Sequence, residues 1–580
     1  MHELAFFCFI LFVYRSTRLS AWYCYLIFQH WGYYLQHSLG SAPFTFHAVP
    51  SCLFHHLPTR RIWAFVIQVS GWICSILVPA QLDWMSEPAS GEDKKFQYPT
   101  PARISPRILA GTGMSKSESE TQNEKTMEFD YLAEKKQEQK ATAWLRLLSS
   151  RSPEILSMHL AKKHRPGETV SACLWKSGAF NICYRVRYDD GPDVIVRFAA
   201  LGRTILRREK VQNEVATMKY IRNTTSITVP EVLGSGICWA GPYIVMSFLE
   251  GVPLSQLLKD PSIGKPVLNP QIRDRSLKRA YHEMAALILE LSKHEFDSIG
   301  ALGENERGFF IARRPLTFNM NELMVSANIP EEVFPSHTFR SATGYFKALA
   351  MQHLYHLRLQ KRGAVISEED CRKKFTARCL FLNITNKLCA EHPQEPFRLY
   401  CDDFRPSNVL IDLDASRISG VIDWEFTYAA PAEFTYVAPW WLLLQSPEDW
   451  EADLSQFLVR YLPRFNAFLK VLSRHEKELI EQQLLSESQR LSPRMEHSME
   501  TGLFWVCLAA RYSSMFDEIY WTFIDHRYYG SFTSLDDRIQ LLDEEQQQEL
   551  NELVRLKTGQ CTEDEESFDD HYPIDKLLVL

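Results

Sequence analysis

Three side chains in the C-terminal half have types and spacing that suit phosphoryl transfer. Asp403 and Asn408 form a D-x-x-x-x-N run inside Leu399-Tyr-Cys-Asp-Asp-Phe-Arg-Pro-Ser-Asn-Val-Leu-Ile-Asp412, and fifteen positions after Asn408 comes Asp423, within Gly420-Val-Ile-Asp-Trp-Glu425. Moving a phosphoryl group requires an acceptor hydroxyl held in line and charge neutralised on the phosphates. One carboxylate can orient that hydroxyl and take its proton. A second carboxylate and an amide oxygen can hold Mg2+ on the phosphate oxygens. Asp403, Asp423 and Asn408 supply those three groups. A lone D-x-x-x-x-N carries little information, because Asp and Asn are ordinary turn residues. Its combination with Ile422-Asp-Trp-Glu425 carries the specificity.

These groups need elements to bring them together. Residues 408–412 and 418–422 read as a hairpin that places Asp403 and Asp423 near one another. Upstream, residues 181–188 alternate, with Ile182, Tyr184, Val186 and Tyr188 on one face. Asp190-Gly191 is a turn signal, and 194–198 is the return strand. Residues 207–222 carry a helical stripe of Val211, Val215, Met218 and Ile221. A second apolar strand over 243–249 ends at Glu250-Gly251. Beyond it Leu277, Tyr281, Met284, Ile288 and Leu291 follow helical spacing. The pattern predicts an α+β chain with a small β-rich lobe, a large helical lobe, and a cleft between them suited to small ligands.

The whole chain bounds the reading. Its 580 residues exceed one ordinary domain. Hydrophobic residues make 46% and charged residues 23%, a globular balance. The net charge of -7 opposes general nucleic-acid binding. Thirteen cysteines show no C-x-x-C pair, which predicts reduced thiols and a cytoplasmic protein. Residues 1–86 form an aromatic-rich apolar extension, and 62–82 carry no charge, enough to span a bilayer. That span would put the domain that follows on the side away from cytosolic nucleotide, so a soluble protein is expected, with 1–113 dispensable for catalysis. Residues 87–140 read as a polar linker, 141–250 as the β-rich lobe with a preceding helix, 251–557 as the helical lobe, and 558–580 as an acidic tail. The oligomeric state is left open.

With Lys176-Ser-Gly-Ala-Phe-Asn181, Val194-Ile-Val-Arg-Phe198, Pro439-Trp-Trp-Leu442 and Phe516-Asp-Glu-Ile-Tyr-Trp521 added, the chain resembles the aminoglycoside phosphotransferase family of kinase-like enzymes, especially its fungal branch. The resemblance covers roughly 154–557. It implies a protein-kinase-like two-lobed fold and ATP- or GTP-dependent phosphorylation of a small-molecule hydroxyl. By the resemblance Asp403 matches the catalytic aspartate, and Asn408 and Asp423 match the magnesium ligands. Arg405 stands where many kinases direct a basic group at the transferring phosphate. Ser177, Gly178 and Asn181 occupy the place of the phosphate-covering loop, and Glu250 that of the lobe connector beside the base. Arg197 replaces the nucleotide-binding lysine, and Glu214 is its best partner.

Departures from the pattern accompany these matches. Cys401 stands where the family has His, and Asp402 where it has Gly. With Arg197 and the thin glycine loop, they motivate the alternative of a nucleotide- or metabolite-binding pseudokinase. A protein kinase is opposed by the missing A-P-E segment. Trp440, Trp441 and Trp450 could cage a cationic acceptor, although core packing is the commoner role. Glu433, Glu448 and Asp449 could bind an amine, but read more simply as solvated charges. The acceptor stays open among aminoglycosides, choline and other hydroxyl-bearing metabolites.

Overall fold

A computed structural model describes residues 129–560 except 389–394, 415–416 and 451–452. The apolar run at 62–82, the expected dispensability of 1–113 and most of the acidic tail lie outside the described residues. No helix among the described residues is long and apolar enough to cross a membrane.

Among the described residues two helices come first, α1 (Tyr131–Ser150) and α2 (Pro153–His164). Helix α1 starts ten residues before the expected position at Ala141, inside the stretch read as linker. Its first turns are polar and carry no stripe. The signal lies in Asp130, whose Oδ1 accepts from the backbone N–H of Leu132 at 3.0 Å, an N-cap.

The first lobe is a five-stranded antiparallel sheet of β1 (Thr169–Ser177), β2 (Asn181–Tyr188), β3 (Val194–Ala199), β4 (Val232–Cys238) and β5 (Gly241–Ser247), in the order β1-β2-β3-β5-β4. Strand β3 is central and buried along its length, which explains its unbroken apolar character around Arg197. Gly191 has φ +84° in the β2–β3 turn, the conformation that favours glycine there. Trp144 and Leu160 from the two leading helices cover one face, against Val186, Val196 and Phe198. On the other face α3 (Arg207–Thr224) packs against β5 and reaches strands of the second lobe.

The second lobe is helical. Its principal helices are α4 (Asp274–Ser292), α5 (Phe318–Ser326), α6 (Ala342–Leu359), α7 (Glu368–Leu388), α8 (Leu454–Glu481), α9 (Ser492–Thr501), α10 (Leu503–Arg511) and α11 (Glu544–Gln560). Short strands carry the site. After the connector, β6 (Val252–Pro253) pairs with β11 (Val409–Asp412), which pairs in turn with β12 (Arg417–Val421). Strand β7 (Glu295–Phe296) pairs with β10 (Phe397–Cys401), which pairs with β13 (Thr427–Ala430). Strands β8 (Ala301–Asn305) and β9 (Gly308–Arg313) form a separate hairpin. Gly251 has φ +140°, and a Cβ there would meet Ser419 Oγ at 2.4 Å, so the connector can close on the β11–β12 hairpin only with glycine. The molecule is thus an α+β fold with a small β lobe and a large helical lobe, as the resemblance implies.

The tryptophans are core. Trp440, Trp441 and Trp450 are 7%, 3% and 7% exposed. Trp450 stacks on Phe457 with ring centroids 3.8 Å apart, and Trp441 meets Phe468 edge-on. Trp440 and Trp441 do line a cavity, but at about 70 Å3 it is too small for a metabolite. No cage forms. Glu433, expected as a solvated charge, is buried at 9% exposure, while Glu448 and Asp449 are half-buried.

Candidate active site

Two loops hold the predicted chemistry. One runs from β10 to β11 and carries residues 402–408; the other runs from β12 to β13 and carries 422–426. The β11–β12 pairing, with Val409 opposite Val421 and Asp412 opposite Arg417, brings the loops side by side. The backbone N–H of Ile422 donates to the Asn408 carbonyl at 2.9 Å, and that of Asp402 to the Phe426 carbonyl at 3.2 Å.

Within the first loop, Asn408 Nδ2 donates to the Asp403 carbonyl at 3.0 Å and to Asp403 Oδ2 at 3.3 Å. With its nitrogen committed there, the amide leaves its oxygen as the free end. Arg405 Nε lies 2.9 Å from Asp403 Oδ1, an ion pair without hydrogen-bond alignment at that nitrogen. Burial pushes the Asp403 carboxyl up to about 6, against the pull of Arg405 and with the help of Asp423 and Glu425.

Asp423 adopts φ +67°, a left-handed conformation uncommon outside glycine. It presents a carboxylate that is 30% exposed to the cleft, and its Oδ1 accepts from Arg197 Nη2 at 2.6 Å. Burial works to raise this carboxyl, but Arg197, Lys210 and Lys176 together hold it below the ordinary range. Arg197 Nη1 donates to Glu214 Oε1 at 2.5 Å, the pairing expected from sequence. Arg197 Nη2 also reaches Glu425 Oε2 at 2.9 Å. Burial raises the Glu214 carboxyl to about 7 despite Arg197 and Lys210.

Two members of this network were not assigned a role from sequence. Lys210 is 1% exposed; its Nζ pairs with Glu425 Oε2 and donates to Asn181 Oδ1 at 2.8 Å. Glu425 also accepts from Asn181 Nδ2 at 2.8 Å. The amide of Asn181, read as a phosphate-loop group, is therefore spent at both ends inside the network. The overlooked signal was the helical spacing of Lys210, Glu214 and Thr217, polar residues on a face that proves buried. Among Arg197, Lys210, Arg405, Glu214, Asp403, Asp423 and Glu425, four carboxylates face three cations.

The remaining candidates are placed as follows. Ser177 and Gly178 cap the β1–β2 turn, where Gly178 N–H donates to the Asn181 carbonyl at 2.8 Å. Gly178 lacks a positive φ, and a Cβ there would meet only the Asn181 carbonyl oxygen at 3.5 Å, an ordinary contact, so neither backbone freedom nor space demands glycine in this loop. Phe180 anchors that loop on Phe318 and Phe426, ring centroids 5.8 and 5.4 Å away. The Glu250 side chain is exposed, and its carbonyl accepts from Ser419 Oγ at 2.6 Å. Asp402 is buried and its Oδ2 accepts from Phe318 N–H at 3.0 Å, so it fixes the loop against the start of α5.

Cys401 ends β10, just before the first loop. Its Sγ donates to the Glu425 carbonyl at 3.6 Å, a direct tie between the two loops. Burial pushes the thiol far above its ordinary range, and neighbouring Asp403 and Asp402 reinforce this. Native protein should therefore leave Cys401 unmodified by iodoacetamide while exposed Cys173 reacts; peptide mass mapping after a pH 8 pulse checks this. Labelling of Cys401 as fast as Cys173 would contradict the tie.

Comparison with known proteins gives a family. The model described as the phosphotransferase enzyme family, APH, matches residues 175–464, half of the 580-residue chain. No curated protein matches. Solved structures similar to the chain include the macrolide 2'-phosphotransferase of Brachybacterium faecium, at 12% identity, covering 65% of this chain and 98% of that one, with TM-score 0.31. The aminoglycoside 2'-phosphotransferase IIIa, in its GDP complex, is 13% identical over 69% of this chain and 97% of its own, with TM-score 0.32. A spectinomycin phosphotransferase in complex with ADP and spectinomycin is 9% identical over 73% and 97%, with TM-score 0.30.

Proposed function

Because the chain belongs to the phosphotransferase enzyme family, we propose that it transfers the γ-phosphoryl group of ATP or GTP to a hydroxyl of a small molecule, with Mg2+. The observation that carries this reading is the convergence of Asp403, Asn408 and Asp423 beside the buried Arg197–Glu214 pair. The hydroxyl of the acceptor is oriented by Asp403, which takes its proton as the oxygen attacks the γ-phosphorus. The bond to the β-phosphate breaks, and nucleoside diphosphate leaves. Arg405, paired with Asp403 at 2.9 Å, is placed to offset the phosphate charge once the carboxylate is protonated.

The residues present fit a magnesium ion. Asp423 offers a carboxylate held ionised, and Asn408 an amide oxygen, both hard donors. When bound, the ion would neutralise the phosphate oxygens and hold them in line. Arg197 already engages Asp423, so it is placed to share phosphate charge with that carboxylate's ligand. Arg197 and Lys210 together supply the positive charge of the missing lysine, Lys210 from within the buried network.

Asp423→Ala is expected to remove the magnesium-dependent part of nucleotide affinity together with turnover. Calorimetric titration of ATP and GTP with and without Mg2+ reads it. A variant that keeps the full magnesium effect would exclude Asp423 as the ligand.

A further inference from the structure

We propose that His282 on α4 and His475 and Glu478 on α8 form a Zn2+ site that ties the two helices together, away from the phosphoryl-transfer centre. The three ligand atoms lie within 4.8 Å of one another. His475 and Glu478 stand three residues apart, one turn along the same face of α8, a chelating arrangement used by metal sites in helical bundles. His282 comes from the facing helix, and its ring meets that of His475 edge-on, with centroids 4.5 Å apart at 62°.

The side chains are in a ligand-ready state. Nδ1 of His475 is buried without a hydrogen-bond partner among the described residues; its nearest carboxylate oxygen, Glu478 Oε2, lies 3.6 Å away. A buried ring nitrogen without a partner is uncommon and calls for an explanation, an ordered water or a bound ion among them. Lys293 is paired with Glu290 at 3.0 Å, which limits its repulsion of a cation.

Two imidazoles and one carboxylate match a zinc donor set with a fourth position for water. Atoms 4.8 Å apart surround a point at most about 2.8 Å from each, and zinc bonds of about 2.0–2.2 Å need a closing movement of about 0.7 Å. The exposed Glu478 side chain can supply much of that movement. The frame behind the site is fixed, because Tyr281, next to His282, meets Phe468 edge-on two turns before His475. His475 also faces a cavity of about 260 Å3 shared with Thr228 and Ile418. Thr228 accepts from Val421 N–H at 2.8 Å, at the end of the hairpin that leads into Asp423. An ion here would stiffen the helical frame behind the lobe connector.

The test uses the full chain stripped of metal with EDTA, titrated with Zn2+ in a calorimeter and with Co2+ in an absorption spectrometer. The wild type should take up Zn2+ at micromolar or tighter affinity, raise its melting temperature, and give the strong visible bands of four-coordinate Co2+. His475→Ala and His282→Gln should each weaken binding about 100-fold or more, and Glu478→Gln about 10-fold, while circular dichroism stays unchanged. His282→Gln guards against a folding defect in His475→Ala. Absence of zinc uptake by the wild type, or uptake that both histidine variants retain in full and that thiol blocking removes, would overturn the site. Nucleotide turnover plays no part in the readout, so the result stands apart from the proposed activity.

Discussion

Asp403→Asn should reduce phosphoryl transfer by about a thousandfold while leaving magnesium-dependent nucleotide binding within a few-fold of wild type. The carboxylate is the group placed to accept the hydroxyl proton, and the proposed metal donors lie on Asn408 and Asp423. An amide is isosteric and retains an oxygen acceptor toward Asn408. Burial already opposes ionisation at this position, pushing the carboxyl up to about 6, so a neutral side chain is tolerated by the fold. The melting temperature should therefore match or exceed that of the wild type, which separates a chemical defect from an unfolded protein. Turnover within tenfold of wild type would remove Asp403 from the catalytic role.

Glu425→Ala should be the most damaging single change to stability at the site, at about 3–5 kcal/mol. Its carboxylate is the shared acceptor for Lys210, Arg197 and Asn181, and the Lys210 side chain is 0% exposed. Without Glu425 the ammonium is left buried with only an amide oxygen, and a stranded charge costs far more than the pair was worth. Glu425→Gln should cost less, because it keeps an acceptor. The double variant Lys210→Met, Glu425→Leu should recover most of the loss, since both charges then leave together. Urea unfolding at neutral pH reads all three. A cost below about 1 kcal/mol for Glu425→Ala would show that the network does not bear on the fold.

Strands and the main helix of the first lobe were legible because their periods were clean. Residues 181–188 alternate and form β2 with those bounds, and 194–198 fall within β3. The 207–222 stripe extends to Thr224 in α3. The closeness of Asp403, Asn408 and Asp423 was legible because hairpin and loop lie close in sequence, so local pairing brings them together. Lys210 was not, because its meaning depends on a carboxylate more than two hundred residues away. The direction of Asn181 failed for the same reason: a loop asparagine and a buried bridging amide look alike until Lys210 and Glu425 are both in place. The start of α1 was missed because capping by Asp130, not an apolar stripe, sets it.

The replacements at 401 and 197 are accommodated by different means. The thiol of Cys401 makes one bond to the Glu425 carbonyl and so still joins the two loops. Arg197 is met by three carboxylates, those of Glu214, Asp423 and Glu425. Neither change removes a group that the chemistry needs, which favours an active enzyme over a silent binder.

The most direct measurement incubates the full chain with Mg2+, ATP or GTP and a library of hydroxyl-bearing metabolites, and reads phosphorylated products by mass spectrometry. The account predicts a gain of one phosphoryl group on at least one metabolite, with matching nucleoside diphosphate, that vanishes without Mg2+ and in Asp403→Asn. Tight magnesium-dependent nucleotide binding with no phosphorylated product from any acceptor, or product formation undiminished in Asp403→Asn, would contradict it.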